Sequence, residues 1–136
     1  MHDTLANYPS LSGKTVFITG GASGIGAEIV RAFAMQGSRV GFVDMDASAA
    51  QALIAEIGTD HAFVECDLRD VDALKAAFES LTATLGPAAA LVNNAACDDR
   101  HDWRDVTPEF WDERMATNLR HMFFAIQAVA PGMIAA

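Results

Sequence analysis

Four short apolar runs, each set apart from the next by a helical pattern, constrain this chain more than any other feature. They are Lys14–Thr19, Arg39–Val43, Ala62–Cys66 and Ala89–Asn93. None alternates between apolar and polar residues, which is what strands covered on both faces require. Helical patterns fill the gaps at Gly24–Gln36, Ala47–Ile57 and Val71–Leu85. Strands separated by helices make a parallel sheet, and right-handed crossovers place successive strands on both sides of the first. The predicted architecture is α/β, a doubly wound parallel sheet in strand order 3-2-1-4 with flanking helices. Ligands are then expected at the carboxyl ends of the strands.

Punctuation supports these boundaries. Asp46 or Ser48 can cap the second helix and Asp70 the third, while Gly37, Gly58 and Gly86-Pro87 stand where helices should stop. Residues 1–12 read as a flexible leader and 13–136 as one domain. Ala95 to Val106 is a polar loop. Thr107-Pro108-Glu109 starts a last helix, Pro108 to about Val129, which should end before Pro131-Gly132. On it, Trp111, Met115, Asn118, Met122 and Ile126 share a stripe expected to face the sheet, which would bury the Asn118 amide and oblige it to find partners. Phe110, Thr117, Phe124 and Ala128 form a second apolar face.

Charge narrows the choice of partner. Nine basic residues against eighteen acidic ones give a net charge of -9, and the basic ones are scattered singly. Nucleic acid and anionic membranes are therefore excluded as partners. Cys66 and Cys97 lack metal-ligand spacing and read as free thiols of a reducing compartment. With no apolar signal core and no membrane-length run, the expectation is a soluble, cytoplasmic protein.

Four features fall at predicted strand ends. The first is the turn Thr19-Gly20-Gly21-Ala22-Ser23-Gly24-Ile25-Gly26, leading into a helix. Glycines admit a tight bend and a close backbone approach, and the helix start offers unpaired N–H groups to a pyrophosphate. A merely structural turn is the other reading. Asp44 lies a little over twenty residues past Gly20, where a carboxylate can accept hydrogen bonds from the hydroxyls of an adenosine ribose, or simply cap a helix. In the first role it repels a 2′-phosphate by roughly 1 to 4 kcal/mol at contact. Asp67 can face an adenine edge or act as a cap. Asn93 ends the fourth run.

Taken in order, the glycine turn, Asp44, Asp67-Leu68, Asn93-Asn94-Ala95 and Asn118 resemble the short-chain dehydrogenase/reductase family. The resemblance runs from Lys14 almost to the end of the sequence. It implies a Rossmann-like, NAD-dependent oxidoreductase, with NAD preferred over NADP because of Asp44. The pyrophosphate would lie on Gly20, Ser23, Gly24, Ile25 and Gly26. The adenosine ribose would lie on Asp44 beside Met45, the adenine on Asp67 and Leu68, and the second ribose near Asn93, Asn94 and Ala95. Ala96 stands where the family usually has glycine. Asn118 matches an asparagine that helps hold a water in the family's proton relay; a structural amide bonded to backbone is the alternative. The family's paired helices imply a homo-oligomer.

The family's catalytic Ser, Tyr and Lys have no counterpart here. The only tyrosine is Tyr8 and the only lysines are Lys14 and Lys75. The chain is therefore expected to be the cofactor-binding half, truncated and inactive by itself. A non-catalytic NAD-binding or oligomerisation module is the alternative. The loop Cys97-Asp98-Asp99-Arg100-His101-Asp102-Trp103-Arg104 reads as a solvated rim rather than a metal site. With the preceding Asn93-Asn94-Ala95-Ala96 it is similar to sugar-oxidising members, which implies an alcohol or sugar substrate.

Overall fold

A computed structural model describes residues 6–136. Its strands are β1 (Thr15–Thr19), β2 (Arg39–Asp44), β3 (Ala62–Glu65) and β4 (Ala90–Asn93). Helices α1 (Gly24–Met35), α2 (Ala47–Ile57) and α3 (Val71–Leu85) separate them, and α4 (Pro108–Met115) and α5 (His121–Ala135) follow. The sheet is parallel throughout, in the order β3-β2-β1-β4.

Alternation along the strands builds two cores. Val16, Ile18, Val40 and Phe42 meet Val30 of α1 and Ala50 and Leu53 of α2 on one face. Phe17 and Val43 meet Leu74, Phe78 and Leu81 of α3 and Ala125 and Val129 of α5 on the other. Burying each of the large side chains contributes about 1.5–3 kcal/mol. The predicted caps form. Asp46 accepts from the Ala49 N–H at 2.9 Å, Asp70 from those of Asp72 and Ala73, and Thr107 from that of Phe110.

Three expectations need correction. Of the stretch read as a flexible leader, residues 1–5 lie outside the described residues, but residues 6–12 are tied to the end of α1. Tyr8 N–H donates to Gln36 Oε1 at 2.7 Å, Gln36 Nε2 donates to the Ala6 carbonyl, and Ser38 Oγ donates to that of Leu11. Secondly, the helical spacing of Ile25, Ile29 and Phe33 predicts one shared face on α1, but only Ile29 and Phe33 pack against the core, and Ile25 is 77% exposed at the first turn.

The third correction concerns the last helix, which neither ends before Pro131 nor runs evenly. Ala116–Arg120 forms a π-helical turn between α4 and α5. The buried residues are Ala116, His121, Ala125 and Val129, a spacing of five and then four, so one extra residue shifts the register. The stripe expected to face the sheet turns outward at Trp111, Met115 and Ile126. Phe124 and Ala128, expected on a second outer face, pack against the α3 core. Pro131 supplies no N–H to the helix, yet Val129 and Met133 pack on that core from either side of it and the helix continues to Ala135.

Two histidines make the fold acid-sensitive. His121 is fully buried with neither ring nitrogen in hydrogen-bond geometry, and burial lowers its pKa against the weaker pull of the nearby Ala116 and Thr117 carbonyls. Burial also lowers that of His61, whose Nδ1 accepts the Val40 N–H at 3.1 Å and must be unprotonated to do so. The unfolded chain therefore binds protons more readily, so this stability is complete above the ordinary histidine pKa of about 6.5 and falls below it. Urea midpoints measured at pH 7.5 and 5.5 should drop at the lower pH, and by less in His121→Leu. Equal midpoints in the unaltered protein would refute the assignment.

Candidate functional site

A cavity of about 710 Å³ opens at the carboxyl ends of the strands. Its floor is the glycine turn. The Gly20 N–H donates to the Val43 carbonyl at 2.8 Å, and φ is +67° at Gly20 and +53° at Gly24, a region where only glycine sits without strain. A Cβ on Gly20 would come within 2.8 Å of Ala95 Cα, and one on Gly26 would collide with the Gly20 carbonyl and lie 2.6 Å from Asn94 Nδ2. These two glycines are needed for closure of the turn itself. Gly24 differs: it lines the cavity, and a Cβ there would meet nothing within 4 Å.

That open space lies at the start of α1. The first helical bond is Ala27 N–H to the Ser23 carbonyl, and the Ser23 side chain caps none of the earlier N–H groups. Those groups and the helix dipole suit an anion. Ser23, Ile25, Gly20 and Gly26 line the same cavity. The residues present thus fit a dinucleotide's pyrophosphate.

Asp44 ends β2 at the next position along the cavity. Its Oδ2 accepts the Ala22 N–H at 2.9 Å and its Oδ1 accepts that of Asp46 at 3.0 Å, so the carboxylate is fixed to the glycine turn on one side and to the start of α2 on the other. Each oxygen retains a free lone pair for a hydroxyl. Met45 beside it is 59% exposed and lines the cavity.

Asp67 and Leu68 follow β3 and also line it. The Arg69 side chain is paired with Asp67 and holds its carboxyl below the usual carboxylate range. Cys66 lies at the same end, buried, with its thiol pushed up to about 11 by burial and by the charges of Asp67 and Asp70; it stays protonated. Both cysteines are free.

At the end of β4 the two asparagines diverge. Asn94 donates from Nδ2 to the carbonyls of Thr19 and Gly20, at 3.1 and 3.0 Å, binding the loop after β4 to the glycine turn. Thr19, fully buried, accepts the N–H groups of Asn94 and Ala95 on its Oγ1. Asn94, Ala95 and Ala96 line the cavity, whereas Asn93 does not; its Oδ1 is buried with no partner among the described residues. Asn118 also stands back from the cavity wall. Its Oδ1 accepts the Cys97 N–H at 2.7 Å and its Nδ2 donates to the Cys97 carbonyl at 2.9 Å, so both amide atoms bond the backbone of the loop after β4.

Sequence reasoning missed Thr19, Arg69, Glu113 and Thr117. Thr19 stood inside the glycine motif and Arg69 two residues past Asp67, but the Asn94 and Ala95 partners of Thr19 and the Glu113 and Arg120 partners of Arg69 are remote in sequence. Among the described residues no cluster of three or more His, Cys, Asp or Glu is placed to hold a metal ion. No helix there is long and apolar enough to cross a membrane.

The sheet order, the glycine turn at α1 and the strand-end residues define a dinucleotide-binding fold of a particular kind. The family model of the short chain dehydrogenases matches residues 14–136, and the chain belongs to that family. It is 49% identical over 132 residues to a probable galactose dehydrogenase of Rhizobium meliloti, covering 94% of this chain and 52% of that one. It is 50% identical over 131 residues to D-xylose 1-dehydrogenase of Caulobacter vibrioides, covering 94% and 51%. Among solved structures, a blue fluorescent protein from a metagenomic library, in complex with NADPH, superimposes with a TM-score of 0.85 at 36% identity, covering 90% of this chain and 52% of that one. The chain spans about half the length of the relatives it matches, and its Rossmann-like sheet corresponds to part of theirs.

Proposed function

We propose that the protein is an NAD-dependent oxidoreductase acting on a sugar or other alcohol hydroxyl, and that this chain supplies its cofactor-binding half. One observation carries the reading: the glycine turn opening α1 and the doubly fixed Asp44 carboxylate line a single cavity. When bound, the cofactor exchanges a hydride at its nicotinamide ring. The chain's own part is to bind and orient.

In this assignment the N–H groups at Ser23, Gly24 and Ile25 receive the pyrophosphate, and Gly20 and Gly26 let the backbone close beneath it. Asp44 accepts the adenosine ribose hydroxyls, with Met45 alongside, and Asp67 and Leu68 receive the adenine. Asn93, Asn94 and Ala95 serve the second ribose, Asn93 from behind the wall. Asn118 keeps the part that the resemblance implies, an amide near a proton-relay water, together with its hold on Cys97. The solved neighbour holds NADPH, so the preference for NAD rests on the repulsion of a 2′-phosphate by Asp44.

The galactose and xylose dehydrogenases among the relatives support a sugar substrate. We place the protein in the cytoplasm as a homo-oligomer, joined through the exposed face of Trp111, Met115, Leu119 and Phe123. Without the family's Ser, Tyr and Lys the 136-residue chain should not turn over substrate. Calorimetric titration should give NAD affinity at least about tenfold above that for NADP, and equal affinities would defeat the ribose assignment. A reading frame that continues past Ala136 into a Ser and a Tyr-x-x-x-Lys motif would support the enzyme; one that closes there would leave a binding module.

A further inference from the structure

We infer that Arg69 is a positioning residue for the adenine of the cofactor, acting through Asp67 to make the site read the base's exocyclic amino group. The inference rests on the cofactor reading above and concerns a residue outside the family motifs.

Asp67 and Arg69 form a preset unit. Arg69 donates its backbone N–H to Asp67 Oδ1 at 3.0 Å, its Nε–H across both carboxylate oxygens at 2.9 and 3.1 Å, and its Nη2 to Oδ2 at 2.7 Å. Oδ1 thus takes two bonds, whereas Oδ2 takes one from Nη2 and only the longer branch of the bifurcated Nε–H, which leaves Oδ2 with the spare acceptor capacity. That oxygen belongs to a side chain that lines the cavity. A planar two-point clasp of this kind removes the rotation that a free aspartate would keep, so the remaining lone pair has a fixed direction before any ligand arrives.

Arg69 is itself held at two further points. Its Nη1 donates to Glu113 Oε1 at 3.3 Å, and its carbonyl accepts from Arg120 Nη2 at 2.8 Å. Glu113 in turn accepts from Thr117 Oγ1 at 3.0 Å. The clasp therefore rests on α4 and on the π-helical turn, not only on its own loop. Glu113 and Thr117 line the same cavity as Asp67 and Arg69. The anionic lone pair so presented suits a hydrogen-bond donor such as the 6-amino group of adenine, in whose place hypoxanthine carries a carbonyl oxygen, an acceptor that the carboxylate repels.

The test compares NAD with nicotinamide hypoxanthine dinucleotide, measured calorimetrically on the unaltered protein, on Arg69→Gln, on Asp67→Asn and on the double variant. The unaltered protein should favour NAD by about tenfold, the size of one hydrogen bond to a charged group. Arg69→Gln should lose most of that preference by weakening NAD binding, leave the hypoxanthine analogue within about twofold, and have no further effect once Asp67→Asn is present. Thermal unfolding of each variant checks that the fold persists; a general loss of structure would weaken both dinucleotides alike. Equal weakening of both with the fold intact would overturn the inference, as would no preference in the unaltered protein. A gain in NAD affinity on Arg69→Gln would overturn it too, because the guanidinium would then be occupying the place of the base. Binding of neither dinucleotide by the unaltered protein would overturn the cofactor reading, and this inference with it.

Discussion

Asp44→Asn should all but abolish the discrimination between NAD and NADP, changing the ratio of the two affinities by roughly a hundredfold. Two effects add. The substitution turns charge-assisted bonds to the ribose hydroxyls into neutral ones, a loss of about 1 kcal/mol, and it removes a repulsion of about 1 to 4 kcal/mol from a 2′-phosphate. Asparagine keeps an oxygen for the Ala22 N–H, which Asp44 now holds at 2.9 Å, but its NH2 cannot accept the Asp46 N–H that Oδ1 holds at 3.0 Å. The glycine turn should therefore survive, with one exposed bond lost at the start of α2, and the shift in the cofactor ratio should be read as one of charge. Parallel titrations of both cofactors measure it, with a urea midpoint as the control for folding. An unchanged ratio would move the ribose away from Asp44.

Gly26→Ala is expected to produce the largest loss of any single methyl group in the chain. The new carbon would collide with the Gly20 carbonyl and press on Asn94 Nδ2 at 2.6 Å, and neither can retreat without opening the turn. Overpacking of this kind costs roughly 1–3 kcal/mol of stability. Displacing the turn should also forfeit one or two backbone bonds to a phosphate, each about 1.5–3 kcal/mol, or on the order of a hundredfold in dinucleotide affinity. Gly13→Ala provides the contrast: its φ is +73° but a Cβ there meets nothing within 4 Å. It should lose about 1 kcal/mol of stability through backbone strain and leave dinucleotide binding unchanged. Comparable binding losses in the two variants would mean that steric closure at Gly26 is not what shapes the site.

Much of this was legible because it is local. The unbroken apolar runs give the parallel sheet, and Asp70 and Thr107 reveal caps because a cap needs only its own next three residues. Gly20, Gly24, Gly26, Asp44 and Asp67 could be placed around one cavity because the sheet order brings strand ends together. What escaped depends on contacts that no short window contains. The extra residue between Ala116 and His121 is invisible to a helical period, whereas the Trp111 to Ile126 stripe assumes an unbroken one that the chain does not keep. Pro131 reads as a stop unless the packing of Val129 and Met133 around it is known. Ile25 has the right spacing for the core but sits in the first turn, above the cavity. Arg69 draws its meaning from Glu113 and Arg120, far along the chain.

The π-helical turn also decides which surroundings each half of the last rod serves. A helix advances by about 100° per residue, so a regular continuation from Ala116 would bring Arg120 to the sheet in the place that His121 fills. Retaining the added residue instead keeps Arg120 outside, where its guanidinium reaches the Arg69 carbonyl, while His121, Ala125 and Val129 take the interior. The turn works as a phase adjuster. It allows α4 to be set by the loop after β3, through Arg69 and Glu113, and α5 by the sheet, so that sequence change on one side of Ala116–Arg120 does not have to be matched on the other.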